Sequence, residues 1–368
     1  MDEALISTGT IAWLGFALGA VFGFTGNRTN FCTMGAISDI VNMGDWTRMR
    51  MWLLAIAVAL LGVAVLQSSG QVDVSKSIYG GTRLSWLSHV VGGLMFGVGM
   101  VLSSGCGSKT LIRVGGGNLK SVLVLIVMGI AAFATLKGVF GVWRVATVDK
   151  VVATLPASQD LPSLLGFAIG VDPKTLALWL PLVIGLALLA FVFAHAEARK
   201  PEAVLGGIVI GLTIVGGWYV TGHVGFVAEY PQTLEAAYVG TLSNRPESLS
   251  LVAPSAQLLD LLMFWSDKSK FLSFGVAAAL GIMAGSVVSA LITKSYREEV
   301  FPNAADFKRH TSGAVLMGIG GVTGLGCTIG QGLTGISTLS LGSIITLAAI
   351  IVGAAAQLKY EYWKVMRE

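Results

Sequence analysis

Hydrophobic positions form long uninterrupted runs along this chain, and polar positions gather in the segments between the runs. Nine runs have the length of a membrane-spanning helix, about 20 residues. They cover residues 9–25, 49–67, 87–103, 119–141, 176–195, 203–217, 272–292, 311–325 and 340–358. Transmembrane strands would instead give short segments of alternating hydrophobicity. The pattern predicts an all-α integral membrane protein with about nine transmembrane helices.

Two of the connectors are long, residues 142–175 and 218–271. Within the second, the stretch "LVAPSAQLLDLLMFW" (251–265) is apolar but too short to cross a bilayer, and it contains Pro254 and Asp260. Such a segment is typical of a helix that lies at the interface or enters the membrane without crossing it. We therefore expect short re-entrant helices in addition to the nine spans.

The chain repeats itself. A shift of 221 residues lays 87–130 on 308–351, so that Gly105 and Cys106 fall on Gly326 and Cys327. The order of the spans then predicts a first repeat at 1–145, a linker with the fifth span at 146–200, and a second repeat at 201–368. An odd linking span makes the second repeat enter from the opposite face. Inverted repeats of this kind are typical of transporters with a site near the membrane midplane.

Basic residues are unevenly divided between the two faces. Nine of the 24 Lys and Arg residues fall in connectors on the N-terminal side of the predicted spans, and the other 15 fall on the opposite side. Cytoplasmic loops carry the excess of positive charge. The count predicts an N-terminus in the periplasm and a C-terminus in the cytoplasm.

Composition strengthens the membrane assignment. The chain is 54% hydrophobic and 12% charged, with a mean hydropathy of +0.77, whereas soluble domains carry about 25% charged residues. Its partners should include membrane lipid. The formal net charge is only +4, and the basic residues are scattered between the spans. They therefore form no basic patch that could bind nucleic acid.

Cysteines occupy interruptions of the apolar runs. "SSGCGSKT" (103–110) and "GLGCTIGQG" (324–332) each place a Gly-Cys pair at the end of a run, and "GNRTNFCTMGA" (26–36) holds the third cysteine. Non-helical backbone at membrane depth lines a cavity or is buried in protein. A helix that restarts there directs its free N–H groups and positive dipole end at the cavity, which favours an anion.

Three isolated thiols allow several interpretations. No Cys-x-x-Cys redox pair, metal-ligand cluster, cofactor motif or ATP-binding loop is visible, so we expect no cofactor, no metal and no enzymatic activity. A neutral S–H group is a weak, polarizable donor that suits a large, soft, sulfur-containing anion. A sulfurtransferase that forms a cysteine persulfide, a soft-metal permease, and simple packing of small buried side chains remain alternatives.

Polar residues near the cysteines are the other candidates for anion binding. The substrate-binding set predicted from the sequence is Cys32, Cys106, Cys327, Gly105, Gly326, Lys109, Arg113, Arg28, Thr328 and Gln331. Asp39 is the acidic residue nearest to Cys32 and the nearest candidate for ion coupling, although we interpret it as a solvated helix end.

The segments "RTNFCTMGA", "SSGCGSKTLIRVGGG" and "GLGCTIGQGL" together resemble the three cysteine segments of the YeeE/YedE family of bacterial inner-membrane sulfur transporters, along nearly the whole chain. The resemblance implies an hourglass of inverted repeats that takes up thiosulfate, with Cys32, Cys106 and Cys327 passing the ion along by S–H···S contacts. It also implies a small cytoplasmic sulfur-carrier protein of the TusA type as a partner. Some relatives handle selenium instead. Family members often carry glycine where this chain has Lys109, which makes a sulfur-containing anion a safer expectation than thiosulfate itself.

Overall fold

The computed structural model describes residues 7–230 and 234–367, and it is almost entirely helical. Its α-helices are α1 (Thr8–Arg28), α2 (Thr33–Met43), α3 (Thr47–Ser68), α4 (Trp86–Leu102), α5 (Gly107–Gly115), α6 (Leu119–Leu136), α7 (Val139–Ala146), α8 (Leu161–Ile169), α9 (Pro173–Phe193), α10 (Pro201–Tyr219), α11 (Val252–Met263), α12 (Phe274–Ile292), α13 (Ala304–Thr323) and α14 (Leu341–Val365). Short 3₁₀ turns lie at Val74–Lys76, Val148–Lys150, Ala196–Arg199 and Ile336–Thr338, and π-helical turns at Val220–Val224 and Gly330–Gly335.

Two small antiparallel ribbons join the connectors. Strand β1 (Arg83–Leu84) pairs with β2 (Ala153–Thr154), and β3 (Phe226–Val227) pairs with β4 (Ala237–Tyr238). Each strand has only two residues, so the ribbons fasten loops and form no layer of their own. The fold is that of an all-α multi-pass membrane protein.

Each predicted apolar run falls on one long helix of the described chain. Eight helical stretches are long and apolar enough to cross a membrane. The remaining run, 311–325, lies in α13. This helix begins earlier than predicted, inside a charged segment, because the Asn303 side chain caps it there by accepting from the backbone N–H of Asp306. The fourth run ends earlier than predicted, at Leu136, and the chain turns at Gly138 into α7.

Helix α11 falls at the predicted short apolar segment 251–265. With 12 residues it is too short to span a bilayer. Helices α2 and α5 are similarly short, with 11 and 9 residues, and each begins directly after a cysteine. These short helices lie among the long ones and bring the cysteine segments into the interior.

Glycines allow α1 and α12 to pack backbone against backbone. Gly19 and Gly23 lie against backbone carbonyls of α12, and Gly281 and Gly285 lie against backbone carbonyls of α1, with no room for a methyl group at any of the four. Small-residue faces of this kind let membrane helices approach closely. In helix α9, by contrast, only 17% of the most apolar stretch of the helix is buried inside the protein. Helix α9 therefore lies at the periphery of the bundle.

Ion pairs identify one face of the protein. Arg309 at the start of α13 pairs with Glu361 near the end of α14 at 2.6 Å, and Lys120 at the start of α6 pairs with Asp306 at 3.1 Å. The starts of α6 and α13 and the end of α14 therefore lie together. We refer to this side as the C-terminal face.

Candidate functional site

The three cysteines lie at the points where one helix ends and the next begins. Cys32 is the N-cap of α2, Cys106 is the N-cap of α5, and Cys327 follows α13. All three are free thiols, with side chains 5%, 0% and 0% exposed. A free, fully buried thiol is a small polarizable donor in a site from which bulk water is excluded.

The backbone approaches every cysteine in the same way. The residue two positions before each thiol has a left-handed conformation, with φ of 53° at Asn30, 56° at Ser104 and 59° at Leu325. The N–H group of the following residue donates to the backbone carbonyl five residues earlier. These donor–acceptor distances are 3.1 Å for Phe31, 2.8 Å for Gly105 and 2.8 Å for Gly326. This is the Schellman ending of a helix, used three times with a residue other than glycine at the left-handed position.

The sulfur atoms face the first turn of the helices that follow. The N–H of Gly35 donates to Cys32 Sγ at 3.3 Å, and the N–H of Gly330 donates to Cys327 Sγ at 3.5 Å. Cys106 Sγ lies 3.2 Å from the hydroxyl oxygen of Ser108. Cys32 and Cys106 are thus held at the N-terminal, positive ends of the dipoles of α2 and α5.

Cys106 stands between the other two cysteines in the electrostatic contacts. Its thiol lies next to that of Cys32, and it is within electrostatic range of Cys327. The Thr328 hydroxyl also approaches the Cys106 thiol. Cys106 thus interacts with both of the other thiols.

Several buried polar atoms near these thiols have no hydrogen-bond partner within the described chain. They are Thr33 Oγ1, Thr328 Oγ1 and Gln331 Oε1, on side chains that are at most 1% exposed. Buried polar atoms without partners are rare in proteins, since each costs about 1–3 kcal/mol. The two threonine hydroxyls, directly after Cys32 and Cys327, can donate to a bound anion, whereas Gln331 Oε1 is an acceptor and cannot.

A cavity of about 390 Å³ opens beside Cys32, between the α1–α2, α5–α6 and α12–α13 connectors. Its lining includes Cys32, Asn30 and the cations Arg48, Lys109 and Arg113. Lys109 Nζ donates to Asn30 Oδ1 at 3.1 Å, and Arg113 Nη1 donates to the Ser104 carbonyl at 2.8 Å. Asn118 and Glu299 place the cavity on the C-terminal face, because Asn118 directly precedes α6 and Glu299 lies in the connector that leads to α13.

The segment after Cys327 is packed rather than open. Tyr79 Oη donates to the Gly330 carbonyl at 2.7 Å, and Trp218 Nε1 donates to Ser337 Oγ at 3.1 Å. Burial raises the pKa of the Tyr79 phenol above its ordinary value, so the hydroxyl keeps its proton for this bond. These contacts hold the π-helical turn Gly330–Gly335 in place.

The structure brings together most of the residues predicted from the sequence. Cys32, Lys109 and Arg113 share the cavity. Gly105 lies beneath the Lys109 side chain, and a methyl group on Gly105 would lie 3.4 Å from Lys109 Cβ, an ordinary contact. A methyl group on Gly326 would lie 3.1 Å from Gln331 Cγ.

Arg28 is apart from this group. It is exposed at the last turn of α1 and does not line the cavity, although its neighbours Asn27 and Asn30 do. Its distance of four residues from Cys32 suggested proximity, but α1 ends between the two and separates them.

Asp39 differs from its interpretation as a solvated helix end. It is 4% exposed and accepts both Nε and Nη2 of Arg48 in a two-point ion pair. Arg48 itself was overlooked as a site residue, because a cation at the start of a span is typical of an interfacial anchor. Its relation to Asp39, nine residues earlier, is the signal that could have identified it.

Comparisons with known proteins agree with this picture. A family model described as sulphur transport matches residues 28–356. The chain is 25% identical over 349 residues to a thiosulfate transporter TsuA of Spirochaeta thermophila, covering 93% of this chain and 96% of that protein. It is 26% identical over 349 residues to a thiosulfate transporter TsuA of Escherichia coli, covering 92% of this chain and 91% of that protein.

Proposed function

Because the chain belongs to the sulphur transport family, we propose that it carries thiosulfate, or a similar sulfur-containing anion, across the bacterial inner membrane into the cytoplasm. The observation that carries this proposal is the series of three buried free thiols, one of which faces the cavity on the C-terminal face. The names of the two relatives support thiosulfate as the substrate. The excess of Lys and Arg on the C-terminal side supports a cytoplasmic location for that face.

In the proposed mechanism the ion passes from Cys327 to Cys106 to Cys32. Each neutral S–H group donates a hydrogen bond to the terminal sulfur of the anion. The next thiol offers an equivalent hydrogen bond before the first hydrogen bond breaks. A thiolate would repel the ion, so the mechanism uses protonated thiols and no covalent bond. The Thr328 hydroxyl donates to an oxygen atom of the ion, while Gln331 Nε2 donates to the Gly324 carbonyl and positions the segment around Cys327. Gly105 and Gly326 leave space for the ion directly before each thiol.

We also propose that residues 1–145 and 201–368 form inverted repeats, joined through the linker at 146–200 that contains α9. The same helix ending before Cys106 and Cys327, at positions related by the 221-residue shift, supports this relation. The peripheral position of α9 is what a linking span requires. The released anion would then be taken up by a small sulfur-carrier protein at the cytoplasmic face.

Uptake of radiolabelled thiosulfate into proteoliposomes tests the mechanism. We expect Cys106→Ser and Cys327→Ser to lose most of the uptake, because a hydroxyl is a harder and less polarizable partner for sulfur. Val220 is the matched control. A shift of the sequence by 188 residues lays Gly19 and Gly23 on Gly207 and Gly211 and places Val220 opposite Cys32, and Val220 is likewise buried, 6% exposed. Val220→Ala should retain uptake.

Two outcomes would contradict the proposal. Normal uptake by both serine variants would show that the thiols do not handle the ion. Labelled sulfur that stays attached to the protein after denaturation would favour a persulfide-forming sulfurtransferase instead.

A further inference from the structure

The cavity on the C-terminal face contains more positive than negative charge. Arg48 is balanced by Asp39. In the part of the chain that the structure describes, Lys109 and Arg113 have no carboxylate oxygen within the 4.0 Å of an ion pair. Their nearest polar partners are the neutral oxygens of Asn30 and Ser104. Arg297 and Glu299 also line the cavity, and the Glu299 carboxylate accepts from Asn118 rather than from a cation. Two partly buried cations thus share the cavity without an ion-pair partner among the described residues, and Lys109 lies within electrostatic range of both Arg113 and Arg48.

Asp39 orients the Arg48 guanidinium toward the same space. The carboxylate binds Nε and Nη2, which leaves Nη1 free of the ion pair. Nη1 lies over Gly35, where a side chain would collide with it. Since the N–H of Gly35 donates to Cys32 Sγ, the free end of the guanidinium lies beside the last thiol of the series.

Lys109 comes from the opposite side of the cavity. It is the third residue after Cys106, in the first turn of α5, and its Nζ reaches Asn30, two residues before Cys32. The ammonium therefore connects the two chain segments that hold the neighbouring thiols. An anion leaving Cys32 would meet Lys109 on one side and Arg48 on the other.

We propose that Lys109, Arg48 and Arg113 form a binding site beside Cys32 for one doubly charged tetrahedral oxoanion, held through its oxygen atoms by the three cations rather than by a thiol. This inference rests on the proposed function, because it treats the site as the place where the transported ion rests before release. Charge-assisted hydrogen bonds from three cations suit the oxygen atoms of such an ion. The site does not contact the terminal sulfur through a thiol, so sulfate should bind to it as well as thiosulfate does.

Isothermal titration of the purified full-length protein with sodium sulfate and with sodium thiosulfate tests the site. We expect Lys109→Met to weaken the binding of both anions by about ten- to a hundredfold, the range for loss of one charged hydrogen bond. Lys308→Met is the matched control, because Lys308 is exposed on α13 at the same face and does not line the cavity. Its affinities should equal those of the wild type.

A second variant distinguishes the loss of a binding cation from misfolding of the Lys109→Met protein. Arg48→Met combined with Asp39→Asn removes the cation without leaving a buried carboxylate unpaired, and it should weaken sulfate binding as Lys109→Met does. Unchanged sulfate affinity in Lys109→Met, or no sulfate binding by the wild type, would overturn the site. Sulfate binding that is lost in Lys109→Met while the wild type fails to take up thiosulfate would support the site and reject the proposed transport.

Discussion

The chain segments at Cys106 and Cys327 begin alike and then diverge. Both follow a helix that ends at a left-handed residue, with φ of 56° and 59°. After Cys106 the chain forms the regular helix α5 and presents Lys109 to the cavity. After Cys327 it forms a π-helical turn, Gly330–Gly335, that is buried throughout.

Available space explains the difference. A methyl group on Gly330 would lie 2.7 Å from Ser250 Oγ, and one on Gly332 would lie 2.8 Å from the Trp52 ring. Lys109, at the position equivalent to Gly330, extends into the cavity, where its Nζ reaches Asn30 Oδ1 at 3.1 Å. A long side chain three residues after the thiol is therefore possible at one segment and impossible at the other.

The largest effect should come from exchanging the residues at these two positions. Gly330→Lys would force a long cation against Ser250 in a buried segment, so we expect a loss of folding free energy above the ~1–3 kcal/mol of ordinary overpacking. Lys109→Gly should fold normally. Size-exclusion chromatography and thermal unfolding in detergent would compare the two.

Equal stability of the two variants would show that position 330 accommodates a long side chain as well as position 109 does. Gly330→Ala with and without Ser250→Gly is a milder form of the same test. The smaller residue at 250 should restore most of the stability that the alanine removes.

A medium effect should follow from Tyr79→Phe. The Gly330 carbonyl would lose its 2.7 Å bond to the phenol while remaining buried, which costs about 1–3 kcal/mol. Ser108→Ala on the Cys106 side removes only a contact to sulfur and should change the unfolding temperature much less. If Ser108→Ala lowered the unfolding temperature more than Tyr79→Phe, the segment at Cys106 rather than the segment at Cys327 would be the more rigidly held one.

The smallest effect concerns the shared left-handed residues. Leu325→Gly should stabilise the protein by about 1 kcal/mol, because a branched residue is strained at positive φ and this side chain is 44% exposed, with little burial to lose. Asn30→Gly should change stability less, since asparagine tolerates this conformation. Chemical unfolding of the two variants would measure the difference, and destabilisation by Leu325→Gly would show that its packing outweighs its strain.

Much of this arrangement could be predicted from the chain alone. The apolar runs identify the helices because a bilayer requires a continuous hydrophobic length, and the Gly-Cys pairs mark where those runs stop. The left-handed residues could not be predicted, because Asn30, Ser104 and Leu325 are not glycines. Arg48 joins the site only when α2 and α3 bring Asp39 against it, and the separation of Arg28 from the cavity likewise depends on the folded chain.

The glycine contact between α1 and α12 has a mechanical consequence. A slide of one helix along the other by one residue, about 1.5 Å, would bring a residue with a side chain to a position where Gly19 or Gly281 now leaves no room for one. Shear between these two helices is therefore blocked, and they have a single register. In the proposed transport these two helices would therefore move together as one unit.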